Sequence, residues 1–220
     1  MKVCEGFPAR TPVTSAAAIF CLISIISAHP LQASYTYYFD AFTYNGAYCD
    51  DLGTNIFTVV SEGIDSIDFT FYNENPFPSS IATIYFDNGS LDELSAIING
   101  PGTNFGQSFP GPGNLPAGRT LDPPFHADFS VGALAAPPKN GINSLSSGEW
   151  IRVSFNLPAS ETLDSINGEL ISGQMRIGMH IIALPDGSSE SAVMVVPEPA
   201  TLLLIGLGVP ILSGLRKRKI

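Results

Sequence analysis

The strongest constraint on this chain is a period of two. In Trp150–Asn156 the side chains of Ile151, Val153 and Phe155 alternate with Trp150, Arg152 and Ser154. In Ile64–Tyr72, Ile67, Phe69 and Phe71 alternate with Asp68, Thr70 and Tyr72. Successive side chains of an extended backbone point to opposite faces, so these stretches bury one face in a sheet and offer no helical stripe. Tyr35–Tyr44, Asn55–Val60, Ile81–Phe86 and the shorter Ala127–Val131 read the same way, and Asp87-Asn88-Gly89 supplies a turn after the third. Met175–Leu184 differs: Met175, Ile177, Met179 and Ile181 face one way, and Gly178, Ile182, Arg176 and His180 the other. Apolar residues on both faces predict a central strand covered on two sides. Short strands bounded by Gly, Pro, Asn and Ser predict an all-β fold, a single antiparallel β-sandwich of jelly-roll-like or Greek-key type.

Two stretches have helical spacing. Leu163, Ile166 and Leu170 predict one short helix, with Ser160 before Glu161 as its cap. Leu91, Leu94 and Ile98 share the spacing, but Ala96-Ile97-Ile98 reads equally as a strand. Asn99–Pro124 is too rich in Gly and Pro for a regular element. Phe105, Phe109 and Leu115 are spaced to tuck that long loop onto the body. After the polar Asp186–Ser191 a last strand through Val196 leads to the tail.

Both ends read as processing segments around one domain. Lys2 and Arg10, the apolar stretch Val13–Ala28 and the small-residue exit Leu31-Gln32-Ala33 describe a signal peptide over residues 1–33, with cleavage after Ala33 or Ala28. The β domain is expected at 34–195 and the tail at 196–220. Cys4 and Cys21 fall in the leader, which leaves Cys49 as the thiol of the mature protein, expected to be buried. Between Ser34 and Val196 four basic side chains (Arg119, Lys139, Arg152, Arg176) stand against eighteen acidic ones, a formal charge of −14. Such a surface repels phosphate backbones and argues against nucleic-acid binding.

Chemistry-bearing patterns are sparse. His29 goes with the leader, and His126 and His180 have neither a Gly-x-Ser-x-Gly elbow nor a Cys partner in a recognisable context. Asp50-Asp51, Asp87-Asn88 and Asp92-Glu93 offer oxygen ligands suited to calcium, without the spacing of a calcium-binding loop. Tyr35, Tyr37, Tyr38, Phe39, Phe42, Tyr44 and Tyr48 crowd one stretch and read as core and cross-strand packing, with stacking on a glycan as the rival. No catalytic residue, cofactor or metal is expected, and the chain is read as not an enzyme. The competing readings are a surface-displayed carbohydrate-active hydrolase, which needs two converging carboxylates, and a calcium-dependent glycan-binding module.

The tail carries the specific signal. Pro197-Glu198-Pro199 precedes the apolar run Leu202–Leu215, and Arg216-Lys217-Arg218-Lys219 follows it. Those bases stop a span and stay on the cytoplasmic side, which leaves the acidic body outside. This arrangement resembles the PEP-CTERM sorting signal of Gram-negative bacteria. The resemblance implies that exosortase recognises the tail, with Pro197, Glu198 and Pro199 as its substrate site. It further implies a cell-surface or extracellular destination in association with exopolysaccharide and biofilm matrix. The body resembles a PEP-CTERM-associated domain of unknown function through Ile84–Gly89, Pro112–Pro116, Asn140-Gly141-Ile142, Arg176–His180 and Gly187–Ser191.

Overall fold

The computed structural model describes residues 33–53, 55–87, 89–108, 111–134 and 143–196. The chain divides into two units, Met1–Leu31 and Gln32–Ile220, and every described residue lies in the second. The strands are β1 (Ser34–Ala41), β2 (Ile56–Glu62), β3 (Ser66–Asn73), β4 (Ser80–Asp87), β5 (Leu94–Asn99), β6 (Phe105–Gln107), β7 (Phe129–Ala133), β8 (Leu145–Ser146), β9 (Glu149–Asn156), β10 (Arg176–Ile182) and β11 (Glu190–Val195). One α-helix, α1 (Leu163–Ser172), lies between β9 and β10.

All the strand pairings are antiparallel, in the order β5-β9-β3-β2-β1-β11-β10-β4-β7-β6, with β8 attached to β4. Of the expected antiparallel β-sandwich, the mostly β, antiparallel part is met; among the described residues the strands form one continuous ladder that curls until it nearly closes, not two separate facing sheets. At the seam the Asn99 side chain stands in for a missing strand pair. Phe105 N donates to its Oδ1 at 2.7 Å, and its Nδ2 donates to Phe105 O at 3.2 Å.

Closure follows from which side chains alternate inward. Phe86 of β4 meets Phe69 of β3 and Phe155 of β9, strands far from it in the ladder, at centroid distances of 5.4 and 4.9 Å. Edge-to-face pairs of this kind add about 0.5–1.5 kcal/mol each beyond burial. Ile56, Val60, Ile67, Phe71, Ile151, Val153, Ile177 and Met179 complete an interior closed to solvent. Met175–Leu184 does become a central strand, β10, between β11 and β4. Its outer face is covered by the long loop through Leu115 and Phe125, with Tyr85 and Val193. Gly178 makes this possible: a Cβ there would lie 2.6 Å from Leu115 Cδ2. Phe105 and Leu115 are buried as expected, while Phe109 lies outside the described residues.

Helix α1 forms where its spacing places it, with Leu163, Ile166 and Leu170 buried. Its cap is Thr162 rather than Ser160, because Thr162 and Ser165 exchange both bonds of a capping box. Gly173, at φ 74°, ends it. The second helical spacing resolves as β5, since the edge of β9 was open to a partner. β6 and β8 are too short to announce themselves by alternation. β1 stops at Ala41, short of Tyr44, because the chain beyond it is captured by the side chains of Asp186 and of Glu190 at the start of β11. Cys49 is half-exposed, not buried, since it sits in a short turn outside the sheet.

Candidate functional site

Strand direction sorts the loops to two ends. Val195 pairs with Tyr38 and Ala192 with Ala41, so β11 runs toward the Ser34 end of β1. That end also carries the β2–β3 turn, the β4–β5 connection and α1, because Ser34 pairs with Ser61 and Arg176 with Asp87. It is called the tail end here, since the chain leaves β11 toward it.

Helix α1 closes the interior at the tail end. The Tyr37 hydroxyl donates to Asn167 Oδ1, and the Tyr35 hydroxyl donates to Asp164 at 2.7 Å. Burial, together with the nearby Tyr35, pushes the Tyr37 phenol up to about 12. Glu169 accepts from Ser90 N at 2.9 Å and from the Ser90 hydroxyl, which ties the β4–β5 connection to the helix.

Beside α1 lies a cleft of about 370 Å³ lined by Asp87, His126, Asp128, Gln174 and Arg176. It brings together one sequence candidate, Asp87, and one histidine, His126. Asp87 is 4% exposed and ion-paired with Arg176. Arg176 also donates to Pro123 O and Pro124 O, each at 2.6 Å, and lies 5.3 Å from the centre of the Phe125 ring. The guanidinium thus fastens the long loop to the end of β10. His180 is elsewhere, on the outer face of β10 opposite Thr83 and Ser191. Desolvation lowers its pKa from 6.5.

At the opposite end two carboxylates hold the β1–β2 connection. Glu190, 1% exposed, accepts from Thr43 Oγ1 at 2.6 Å and from the amides of Asn45 and Gly46 at 2.8 Å. Asp186 accepts from Ala47 N at 2.8 Å and from Ser188 N at 2.9 Å. The Ser188 hydroxyl and amide, with the Ala47 amide, hold its carboxyl below the ordinary value. The sequence places both acids in the polar Asp186–Ser191 stretch but assigns neither carboxylate a role, because the groups they hold lie about 140 residues away in the chain.

Among the described residues no group of three His, Cys, Asp or Glu side chains could hold a metal ion. Asp50 and Asp51 lie in a short turn near Cys49, Asp92 and Glu93 precede β5, and Asn88 lies outside the described residues. The crowded aromatics divide by alternation: Tyr37 and Phe39 are buried, while Tyr38 is 42% and Tyr44 73% exposed. Tyr38 instead begins an outer row in register with Phe57, Tyr72 and Trp150. Phe57 and Tyr72 stack at 4.9 Å with ring planes 18° apart, so one face of each is spent on the other.

No helix among the described residues is long and apolar enough to cross a membrane. Pro197, Glu198, Pro199, the run Leu202–Leu215, and Arg216, Lys217, Arg218 and Lys219 lie outside the described residues, as does the expected signal peptide up to Gln32. Comparison with known families gives one match: residues 195–219 match the PEP-CTERM protein-sorting motif. No curated protein and no solved structure matches the chain. The chain therefore carries a PEP-CTERM sorting motif, and the motif begins on the last residue of β11.

Proposed function

We propose that this is an exported, non-enzymatic surface protein whose tail is the substrate of exosortase. A signal peptide over residues 1–33 starts export, and the apolar run Leu202–Leu215 holds the chain in the inner membrane. The bases Arg216–Lys219 stop transfer, and processing occurs near Pro197-Glu198-Pro199. The released β domain then serves at the cell surface or in the extracellular matrix, in association with exopolysaccharide. The observation that carries this reading is the sorting-motif match at 195–219. A second observation supports the order of events: β11, the last strand among the described residues, ends at Val195, so removal of the tail beyond it costs the described sheet no strand.

The test is the intact mass of the exported protein from cells with and without exosortase. The expected result is a chain trimmed at both ends when the enzyme is present and an uncut tail when it is absent. A tail retained through Ile220 in both strains overturns the sorting reading. Glu198→Ala is expected to block trimming as deletion of the enzyme does.

A further inference from the structure

The β2–β3 turn has an unusual apex. Turns favour Gly, Asn, Asp and Ser because their chemistry suits the bend and water. Here Gly63 N donates to Ser66 O at 2.8 Å, and the residue carried at the tip between them is Ile64, 95% exposed. Its neighbours are fixed. A Cβ on Gly63 would lie 2.2 Å from Ser66 Oγ, and Asp65, at φ 54°, accepts from Leu157 N at 3.1 Å. A branched apolar side chain is therefore presented to solvent on a braced turn, at the tail end.

Chain length determines what meets that tip. Val195 stands level with Tyr38, and Ser61 with Ser34, so the turn lies about six residues farther along the strands. At about 3.3 Å per residue this is roughly 20 Å. The link between β11 and the apolar run is Val196–Thr201, six residues. From Val195 to Leu202 is seven residue steps, which fully extended span at most about 25 Å. The apolar run thus begins at most about 5 Å beyond the tip of the turn. The headgroup layer adds roughly 5–7 Å outside the hydrocarbon on each side, so the link is too short to cross it with the body held clear.

We propose that, while the tail is embedded, the body is docked on the bilayer with the Ile64 turn inserted in the headgroup layer. This rests on the membrane-held tail of the preceding section. Glu62 and Asp65 flank the tip, so the lipid it suits is zwitterionic, and anionic lipid weakens the contact. One isoleucine does not hold a free body on a membrane. A short tether raises its effective concentration enough to make the contact persistent. Docking also keeps Pro197–Pro199 at the membrane surface, and cutting the tail releases the body.

The test uses the chain without its leader, Ser34–Ile220, in phosphatidylcholine vesicles without exosortase and in a Cys49→Ser background, so that the introduced cysteine is the one thiol and the tail the one apolar anchor. An environment-sensitive fluorophore is attached at Ile64→Cys or, at the opposite end, at Tyr44→Cys. The expected result is strong quenching by lipid-borne quencher at position 64 and little at 44. An insertion of about ten Gly/Ser residues after Val196 gives the link slack and is expected to abolish the difference. Resistance of the chain to alkaline-carbonate extraction reports on the tail separately. If the chain resists extraction but position 64 is quenched no more than 44, docking is overturned and the anchored tail stands. If carbonate extracts the chain, both fail.

Discussion

Arg176 reaches four groups at once: the Asp87 carboxylate, two proline carbonyls and the Phe125 ring. Removing one partner of a largely buried pair leaves an uncompensated charge, at a cost of roughly 3–5 kcal/mol. Arg176→Ala is therefore expected to lower the stability of the body by about 3 kcal/mol in urea unfolding, and to expose the 111–128 loop to protease. Arg152 is the comparison. Its distance to Asp68 is 3.7 Å and its side chain is 41% exposed, so Arg152→Ala should cost less than about 1 kcal/mol. Equal losses would mean that Arg176 does not anchor the loop.

His180 gives the residue scale a pH signature. Burial lowers its pKa below 6.5 in the folded state, so below that value the unfolded chain binds the proton more readily. The stability it contributes is complete above 6.5 and is lost as pH falls from there through the lowered folded pKa. His180→Gln should flatten the stability–pH curve in that window; an unchanged slope would place the titration on other groups.

Elements here are specified by their ends as much as by their faces. The Thr162 capping box starts α1, and Gly173 in the left-handed region stops it. Loss of such a cap costs about 1 kcal/mol, so Thr162→Ala should lower the melting temperature by a few degrees. Faster amide exchange is expected first at Ser165, whose N–H the cap accepts. The seam between β5 and β6 depends on one side chain. Asn99→Ala removes both bonds to Phe105 and should speed exchange at the Phe105 amide while the β3–β9 ladder stays protected. Uniform loss of protection would mean that the seam and the ladder open together.

For the whole molecule, the decisive fact is that the last strand among the described residues is central. β11 lies between β1 and β10, hydrogen-bonded to both, so the body cannot close until its C-terminal segment has arrived. Truncation after Val196 should leave thermal stability nearly unchanged. Truncation before Glu190 removes a central strand together with the carboxylate that holds Thr43, Asn45 and Gly46, and should yield no cooperative unfolding transition. A folded product from the shorter chain would contradict the role given to β11. The same placement bounds the processing proposed above, since a cut that leaves β11 whole falls beyond Val195.

The sequence by itself determined the β class, most strand positions, α1 and the sorting motif. Each depends on neighbours along the chain: alternation at Ile67, Phe69 and Phe71, helical spacing at Leu163, Ile166 and Leu170, and adjacency in Pro197-Glu198-Pro199. Tertiary structure alone decided what depends on residues far apart. The near-closure of one sheet at Asn99 is such a case, as is the choice of strand for Leu94–Asn99 by the open edge of β9. So are the clamps on Asp87 and at Glu190, since Arg176 and Thr43 lie far from them in sequence. The end at which the chain leaves the body belongs here too. Only the antiparallel register of β11 against β1 puts Val195, where the motif begins, and the Ile64 turn toward one end, because strand direction is set by pairing and not by the residues of either strand.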